Sequence, residues 1–485
     1  MSALPLRRSS GLSLAWPRFP ASLLGLFICL AGGILVLRPL LDPDLGWHVR
    51  TGSLILATHH IPTVDPYSFT KAGAPWVEHE WLWQVAAAAL NALGGQTAIV
   101  LANGAAVSGV LAFIYLRLRT RRIEPAYAAA GAGVALANLA VYAEARPGQV
   151  VALFTAAMLF GFERYRRGGN WRWLGVAPAA ELLWANSHGS YVLGLLLCGL
   201  YGLAALWETG RWGALAPWAL TGAAAVAASL INPLGVGLYR FTLGASQLSV
   251  NRQLVHEWKP PDFSDLSFAP ILLTVLLLLA LPAFLRVSPR GRAQQLLLVA
   301  GAGGALQSQQ FILFFAVAAA PLAGELLQEA WPSRALTRLS AGSAVALGLT
   351  LLGLTLAGPV TRLTPGAYHQ AVAADYPVDA VAFIEAHQLA GPMWNEVDWG
   401  GYLIGALPRL PVFVDARTEM YGQRFEAETA AITFGTKPVA PVLQQYGIKL
   451  AMVNTHGAVA GELRALPGWR QAYSDKLAAV FVRAD

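Results

Sequence analysis

Apolar positions in this chain come in long unbroken blocks, not in the alternation of an exposed strand. Blocks at 21–41, 95–116, 125–142, 148–162, 173–190, 191–207, 214–231, 268–285, 293–307, 311–326 and 339–360 read as eleven helices. Most are near the roughly 20 apolar residues that a membrane span needs, and a few are shorter, so the count holds to within one or two. The residues between blocks sort by type. Arginines collect in every second connection: Arg7, Arg8 and Arg18; Arg117, Arg119, Arg121 and Arg122; Arg164, Arg166, Arg167 and Arg172; Arg211; Arg286, Arg290 and Arg292; Arg334 and Arg338. The other connections hold acids, His, Asn and Trp. Basic loops stay on the cytoplasmic side, so the pattern predicts an inside N-terminus and an outside C-terminus. The first block is too long for the core of a signal peptide and lacks a small-residue cleavage site, so it is expected to be a retained helix.

Three stretches break the rhythm. The first outer loop, 42–94, is too long for a turn. Asp44 stands where a helix would be capped, and Leu45, Trp47, Val49, Leu54 and Ile55 follow in an amphipathic pattern that suits a helix at the interface. A second helix is expected near Glu78, with Trp81 and Trp83 at headgroup level. The second stretch, 235–267, carries Arg240, Arg252, His256, Glu257, Trp258 and Lys259. The third, 364–485, alternates strand and helix patterns. Val378–His387, Trp399–Ala406 and Val439–Tyr446 suit helices. Pro392–Val397, Val412–Asp415 and Lys449–Asn454 suit strands, and Arg470–Ser474 with Ala478–Arg483 suits a hairpin. The expectation is a mainly α polytopic membrane protein: a transmembrane domain over 1–363 and a small extracytoplasmic α/β domain over 364–485.

Composition agrees. Of 485 residues, 56% are hydrophobic and 13% charged, against about 25% charged in an average soluble domain. The mean hydropathy is +0.50. The net charge of +7 follows from the inner loops, so it does not call for a nucleic-acid partner. Cys29 and Cys198 both lie in spanning blocks, where no disulfide framework is expected.

Candidate chemistry lies on the outer side. Asp42 and Asp44 are spaced to share a divalent metal or to supply a general base; capping of a helix by Asp44, with His48 as a local partner on the same face, is the plainer alternative. Glu78-His79-Glu80 supplies a second set of carboxylates facing the first, or an acidic first turn that complements a helix dipole. In Glu144-Ala145-Arg146, the arginine suits a phosphate and the acid a metal; a pair closing a tight turn fits equally. Trp184–Gly189 contains Asn186 and His188. Glu181, seven residues before His188 and so expected on the same helix face, is an ionisable group at membrane depth and a candidate by default; a protonated Glu hydrogen-bonded inside the bundle is its alternative. Gln307, Gln309 and Gln310 suit either sugar hydroxyls or the backbone of a helical hairpin. Arg252, His256, Glu257 and Lys259 form a mixed cluster that suits an anionic head group or a solvated loop face. The chain lacks GxxxxGK[ST], GxSxG and HExxH patterns, which argues against ATP-driven transport, serine hydrolysis and zincin chemistry.

With these residues in place, the chain resembles the GT-C glycosyltransferases, polytopic enzymes that take sugars from polyprenyl-phosphate donors on the outer face. The shared layout is a long first outer loop opening on acids, many spanning helices and an outer α/β domain. Pro392-Met393-Trp394-Asn395-Glu396-Val397-Asp398-Trp399-Gly400 and Val412-Phe413-Val414-Asp415-Ala416-Arg417-Thr418 are similar to the WWDYG region of oligosaccharyltransferase catalytic subunits. The tryptophan pair is lost here, so acceptor-sequon recognition does not carry over. The chain also resembles a group of bacterial membrane proteins with D-x-D-x-x-W-H, P-W-x-x-H-E-W and W-x-N-x-H-G segments, here Asp42–His48, Pro75–Trp81 and Trp184–Gly189. The resemblance implies metal-assisted sugar transfer from a polyprenyl-phosphate donor to a glycan, lipid or protein acceptor, in a bacterial inner (cytoplasmic) membrane. Asp42, Asp44 and Glu80 would be catalytic. Asp42, Asp44 and Glu144 would hold a divalent metal, Mg or Mn. Arg146, His188, His48, Glu181, Glu257 and Trp258 would bind substrate. A transporter or flippase of lipid-linked glycans, and a non-catalytic assembly protein, are the competing readings.

Overall fold

The structure, a computed structural model, describes residues 22–247, 258–285, 291–332 and 348–484, with 351, 354, 357 and 359–361 excepted. The described helices before residue 331 are α1 (Ser22–Leu35), α2 (Leu45–Thr58), α3 (Trp81–Thr120), α4 (Pro125–Leu139), α5 (Val150–Gly168), α6 (Val176–Trp184), α7 (Val192–Thr209), α8 (Ala216–Ser229), α9 (Gly237–Gln247), α10 (Ala269–Leu285), α11 (Arg292–Gln307) and α12 (Ile312–Ala330). The expected blocks from 21–41 to 311–326 thus all contain helix. The block at 339–360 falls largely outside the described residues. The count of eleven spans is not confirmed. Among the described residues, three helical stretches are long and apolar enough to cross a membrane alone: Trp81–Thr120, Gly189–Thr209 and Gln309–Ala330. Elsewhere the ends of the apolar blocks fold as 3₁₀ turns or loops. The block at 173–190 keeps only nine residues of α-helix in α6, about 14 Å at 1.5 Å per residue.

Helix α3 is the spine. It bends at Gly94 and at Gly95, whose φ of 63° belongs to a glycine. The segment before the bend packs with α2, and the segment after it packs with α1, α4 and α5. A continuous apolar core fills the bundle, including Leu111, Leu118, Ala132, Leu159, Phe162, Trp184, Leu197 and Tyr201. α12 is buried along almost its whole length.

The C-terminal region contains α13 (Pro365–Asp375), α14 (Val378–Ala386), β1 (Met393–Asn395), α15 (Val397–Ala406), α16 (Thr418–Tyr421), α17 (Gln423–Thr433), α18 (Ala440–Gln445), β2 (Leu450–Asn454), α19 (Ala458–Ala465), β3 (Trp469–Ser474) and β4 (Ala478–Arg483). The sheet order is β1-β2-β4-β3, with β1 and β2 parallel and the other pairs antiparallel. Side-chain alternation divides two cores. Met393, Leu450, Met452 and Val480 face α14 and α15. Trp394, Ala451, Val453 and Phe481 face α17, α18 and α19. Val412–Asp415, expected as a strand, joins no ladder of this sheet. Val412 instead makes an isolated parallel bridge with Ser68 of the first outer loop.

Charged residues are also buried inside the bundle. At the far end of α3, Arg121 contacts Glu325 at 2.5 Å and Glu163 at 3.8 Å. Arg117 reaches the amide oxygen of Gln294 at 3.2 Å and the Tyr201 hydroxyl at 3.4 Å. Two of the arginines that mark the inner loops are therefore buried in the bundle.

Candidate active site

The first outer loop opens with Asp42, whose Oδ1 accepts the Asp44 backbone N–H at 2.9 Å. Asp44 stands at the N-cap position of α2 but makes no side-chain cap. Its Oδ1 instead accepts the indole N–H of Trp47 at 2.9 Å. The plainer sequence reading, helix capping, is thus right about position and wrong about what the carboxylate does. Asp42 Oδ2 lies 4.0 Å from Arg146 Nη1, an ion pair that links the first outer loop to the short loop after α4.

Glu80 ends the loop at the N-cap position of α3 and also makes no cap. Three imidazoles surround it. Its Oε1 lies 3.7 Å from His79 Nε2 and 3.8 Å from His188 Nε2, and its Oε2 lies 3.9 Å from His48 Nε2. The partners of the other ring nitrogens set two tautomers. His188 Nδ1 accepts the Ser190 backbone N–H at 3.2 Å, and the Gln84 amide approaches His48 Nδ1 at 3.2 Å. In both, these contacts put the ring proton on Nε2, the nitrogen that lies 3.8 Å from Glu80 in His188 and 3.9 Å from it in His48. Burial keeps these rings neutral. It pushes His188 down to about 4, helped by the charge of Arg146. It pushes His79 down to about 4, with His188 adding to the effect, and His48 well below its usual 6.5. Next to Glu80, burial pushes the Glu78 carboxyl up to about 7, although its Oε1 accepts the Glu80 N–H.

The two halves meet at Gly148, where a methyl would stand 3.8 Å from Arg146 Nε and 3.9 Å from His188 Nε2. Asp42, Arg146, His188, Glu80 and His48 therefore form one continuous polar rim, and Trp47 closes it back to Asp44 by packing 3.7 Å from the His48 ring. The tryptophans expected at headgroup level serve as scaffold. Trp81 Nε1 donates to Asn186 Oδ1 at 2.8 Å, and Trp83 stands edge-on to His48. Beside the rim, a small cleft is lined by Arg38, Leu40, Asp42, Asn103 and Glu144.

Other candidates go elsewhere. Glu144 pairs with Arg38 at 3.3 Å and does not turn toward Asp44. Among the described residues no three His, Cys, Asp or Glu side chains are placed to hold one metal ion. The set Asp42, Asp44 and Glu144 is thus not assembled, and the positive charge beside Asp42 is Arg146. Glu181 is fully buried in the bundle against Gly194, with neither carboxyl oxygen hydrogen-bonded. α6 stops at Trp184 and His188 has extended backbone, so the seven-residue spacing does not run along one helix. Gln309 bonds Tyr142 and the Pro260 carbonyl, the plainer reading. Trp258 is half-buried, and no hydrogen bond, ion pair or ring contact among the described residues joins it to the rim. Arg252, His256 and Glu257 lie outside the described residues. His79 was not singled out from sequence; its place beside Glu80 in the P-W-x-x-H-E-W segment was the available signal.

No protein-family model and no curated protein matches the chain. Solved structures do. The *Archaeoglobus fulgidus* oligosaccharyltransferase tethered to an acceptor peptide with an NVT sequon superimposes with a TM-score of 0.59 at 13% identity, over 96% of this chain and 74% of that one. ArnT from *Cupriavidus metallidurans* bound to undecaprenyl phosphate superimposes with a TM-score of 0.55 at 16% identity, over 96% of this chain and 98% of that one. This chain has the GT-C fold. The archaeal enzyme has also been solved with Zn and sulfate, a structure that matches with a TM-score of 0.54 at 12% identity over 94% of this chain and 73% of that one. The GT-C fold accounts for the layout seen here: a helical bundle, a long loop after the first helix, and an α/β region at the end of the chain.

Proposed function

We propose that this protein moves a sugar from a polyprenyl-phosphate donor to an acceptor at the outer face of a bacterial inner membrane. The observation that carries the proposal is the joining of Asp42, Asp44, Glu80, Arg146, His48 and His188 into one rim, from three separate connections of the chain. Asp44, its other oxygen held by Trp47, takes the proton from the acceptor hydroxyl as that oxygen bonds to the anomeric carbon. The bond from that carbon to the phosphate oxygen breaks. Arg146, aligned by Asp42, takes up the negative charge that develops on the departing lipid phosphate. Glu80, surrounded by neutral imidazoles, accepts hydrogen bonds from sugar hydroxyls. A divalent metal, if bound, would add Lewis-acid polarisation of the phosphate at Asp42 and Asp44; no step here depends on it. Transport is less well supported, because Glu181 packs against Gly194 instead of facing a pathway.

The test is sugar transfer in membranes supplied with radiolabelled undecaprenyl-phosphate hexoses and pentoses. Asp44→Asn is expected to lower turnover by about 10²–10⁴-fold, the contribution typical of a general base, with unchanged accumulation. Full turnover in that variant would remove Asp44 from the mechanism.

A further inference from the structure

One buried side chain of the C-terminal domain is tied to the first outer loop beside the rim. Arg417, between Val412–Asp415 and α16, is 2% exposed. It is shared by a carboxylate from each body: Nη2 lies 2.9 Å from Asp65 of the first outer loop and 2.6 Å from Asp415 of its own domain. Its Nε donates to Asp415 at 2.8 Å. The guanidinium carbon lies 4.7 Å from the Trp76 ring centre, 5.2 Å from Tyr67 and 5.9 Å from Trp47. All three rings belong to the first outer loop, and all three are in the same apolar core as α14 and α15. The backbones are joined at the same place. The Val412 N–H donates to the Tyr67 carbonyl at 3.0 Å and the Phe69 N–H to the Val412 carbonyl at 3.1 Å.

One of those rings continues to the chemistry. Trp47 holds Asp44 Oδ1 at 2.9 Å and stacks on His48, which faces Glu80. A Trp side chain has only two rotatable bonds, so fixing its ring face fixes the direction of its N–H. We propose that Arg417 is a positioning residue: through Trp47 it sets the placement of Asp44, and the C-terminal domain acts in the reaction as the brace of the first outer loop. This rests on the glycosyltransferase reading for its catalytic readout but not for its structural one.

The experiment uses the full-length protein in detergent and in membranes. Variants are Arg417→Lys, which keeps the charge and loses the planar fork, Trp47→Phe, which keeps the ring and loses the N–H donor, and the pair together. Each single variant is expected to lower kcat by about 10–100-fold, the cost of a small misplacement of a reacting group, with KM for donor and acceptor within about twofold. The double variant is expected to fall no further than the worse single, because both act on one element. Independently of turnover, Arg417→Lys is expected to speed amide hydrogen exchange over residues 42–80 while the sheet keeps its protection. Additive losses, a KM rise at unchanged kcat, or unchanged exchange in the loop would each overturn the proposal. If the parent protein transfers no sugar, the exchange result still decides whether Arg417 braces the loop, so the two failures are distinguishable.

Discussion

At the residue scale, the site shows how a carboxylate's role depends on which donors surround it. Glu78, Glu80, Asp42 and Asp44 are the same functional group in the one long first loop, yet each has a different partner. Glu78 is the one that stability measurements can isolate. Burial pushes it up to about 7 from the ordinary 4.5. An acid whose folded pKa is raised binds its proton more tightly when folded. Stability is therefore lost as pH rises from about 4.5 through about 7, and the full cost is present above that. Glu78→Gln keeps an acceptor for the Glu80 N–H and removes the charge. It is expected to melt higher than the parent above pH 7, with the difference gone near pH 4.5. Paired thermal unfolding curves across that range check the sign. From sequence, the polar motifs were legible as candidates, and Asp42, Arg146, His188 and Glu80 do meet. Glu181 and Glu144 were equally plausible on the page. Nothing in their spacing reveals that one turns into the bundle and the other toward Arg38.

At the element scale, α2 and α15 meet with almost no side chain between them. A methyl on Gly46 would lie 2.2 Å from the Gly401 carbonyl oxygen, and one on Gly401 would lie 2.2 Å from the Pro43 carbonyl oxygen. Backbone atoms cannot rotate away as a flexible side chain can. Gly46→Ala is therefore expected to cost about 1–3 kcal/mol, the usual range for overpacking, and to lower transfer as α2 and Asp44 are pushed from α15. Thermal unfolding and the membrane transfer assay together check it. Most helices and the closing hairpin followed from apolar periodicity, because each is held by local hydrogen bonding and its own buried face. Val412–Asp415 did not. Its apolar run matches a strand of the sheet, but its partner is Ser68, more than three hundred residues away in sequence, and periodicity carries no information about partners.

At the scale of the whole molecule, buried charge ties the fold at two places, at Arg417 between Asp65 and Asp415 and at Arg121 between Glu163 and Glu325. Arg121→Leu leaves two buried carboxylates without that cation and is expected to destabilise by about 3–5 kcal/mol, the cost of breaking a buried pair from one side. Glu325→Gln in the same background is expected to recover part of the loss. Detergent melting of the single and double variants checks it. What the sequence determined by itself was the mainly helical architecture, the order of its helices, and the loops that carry acids and histidines. Hydropathy and charge act residue by residue against a fixed solvent boundary, so they can be read from the chain alone. Only the tertiary structure decided which of those groups lie side by side, that Arg146 stands 4.0 Å from Asp42, and that the C-terminal region contacts the first loop. Those outcomes depend on contacts between segments far apart in sequence, and the energy of such a contact is a property of the pair, not of either residue.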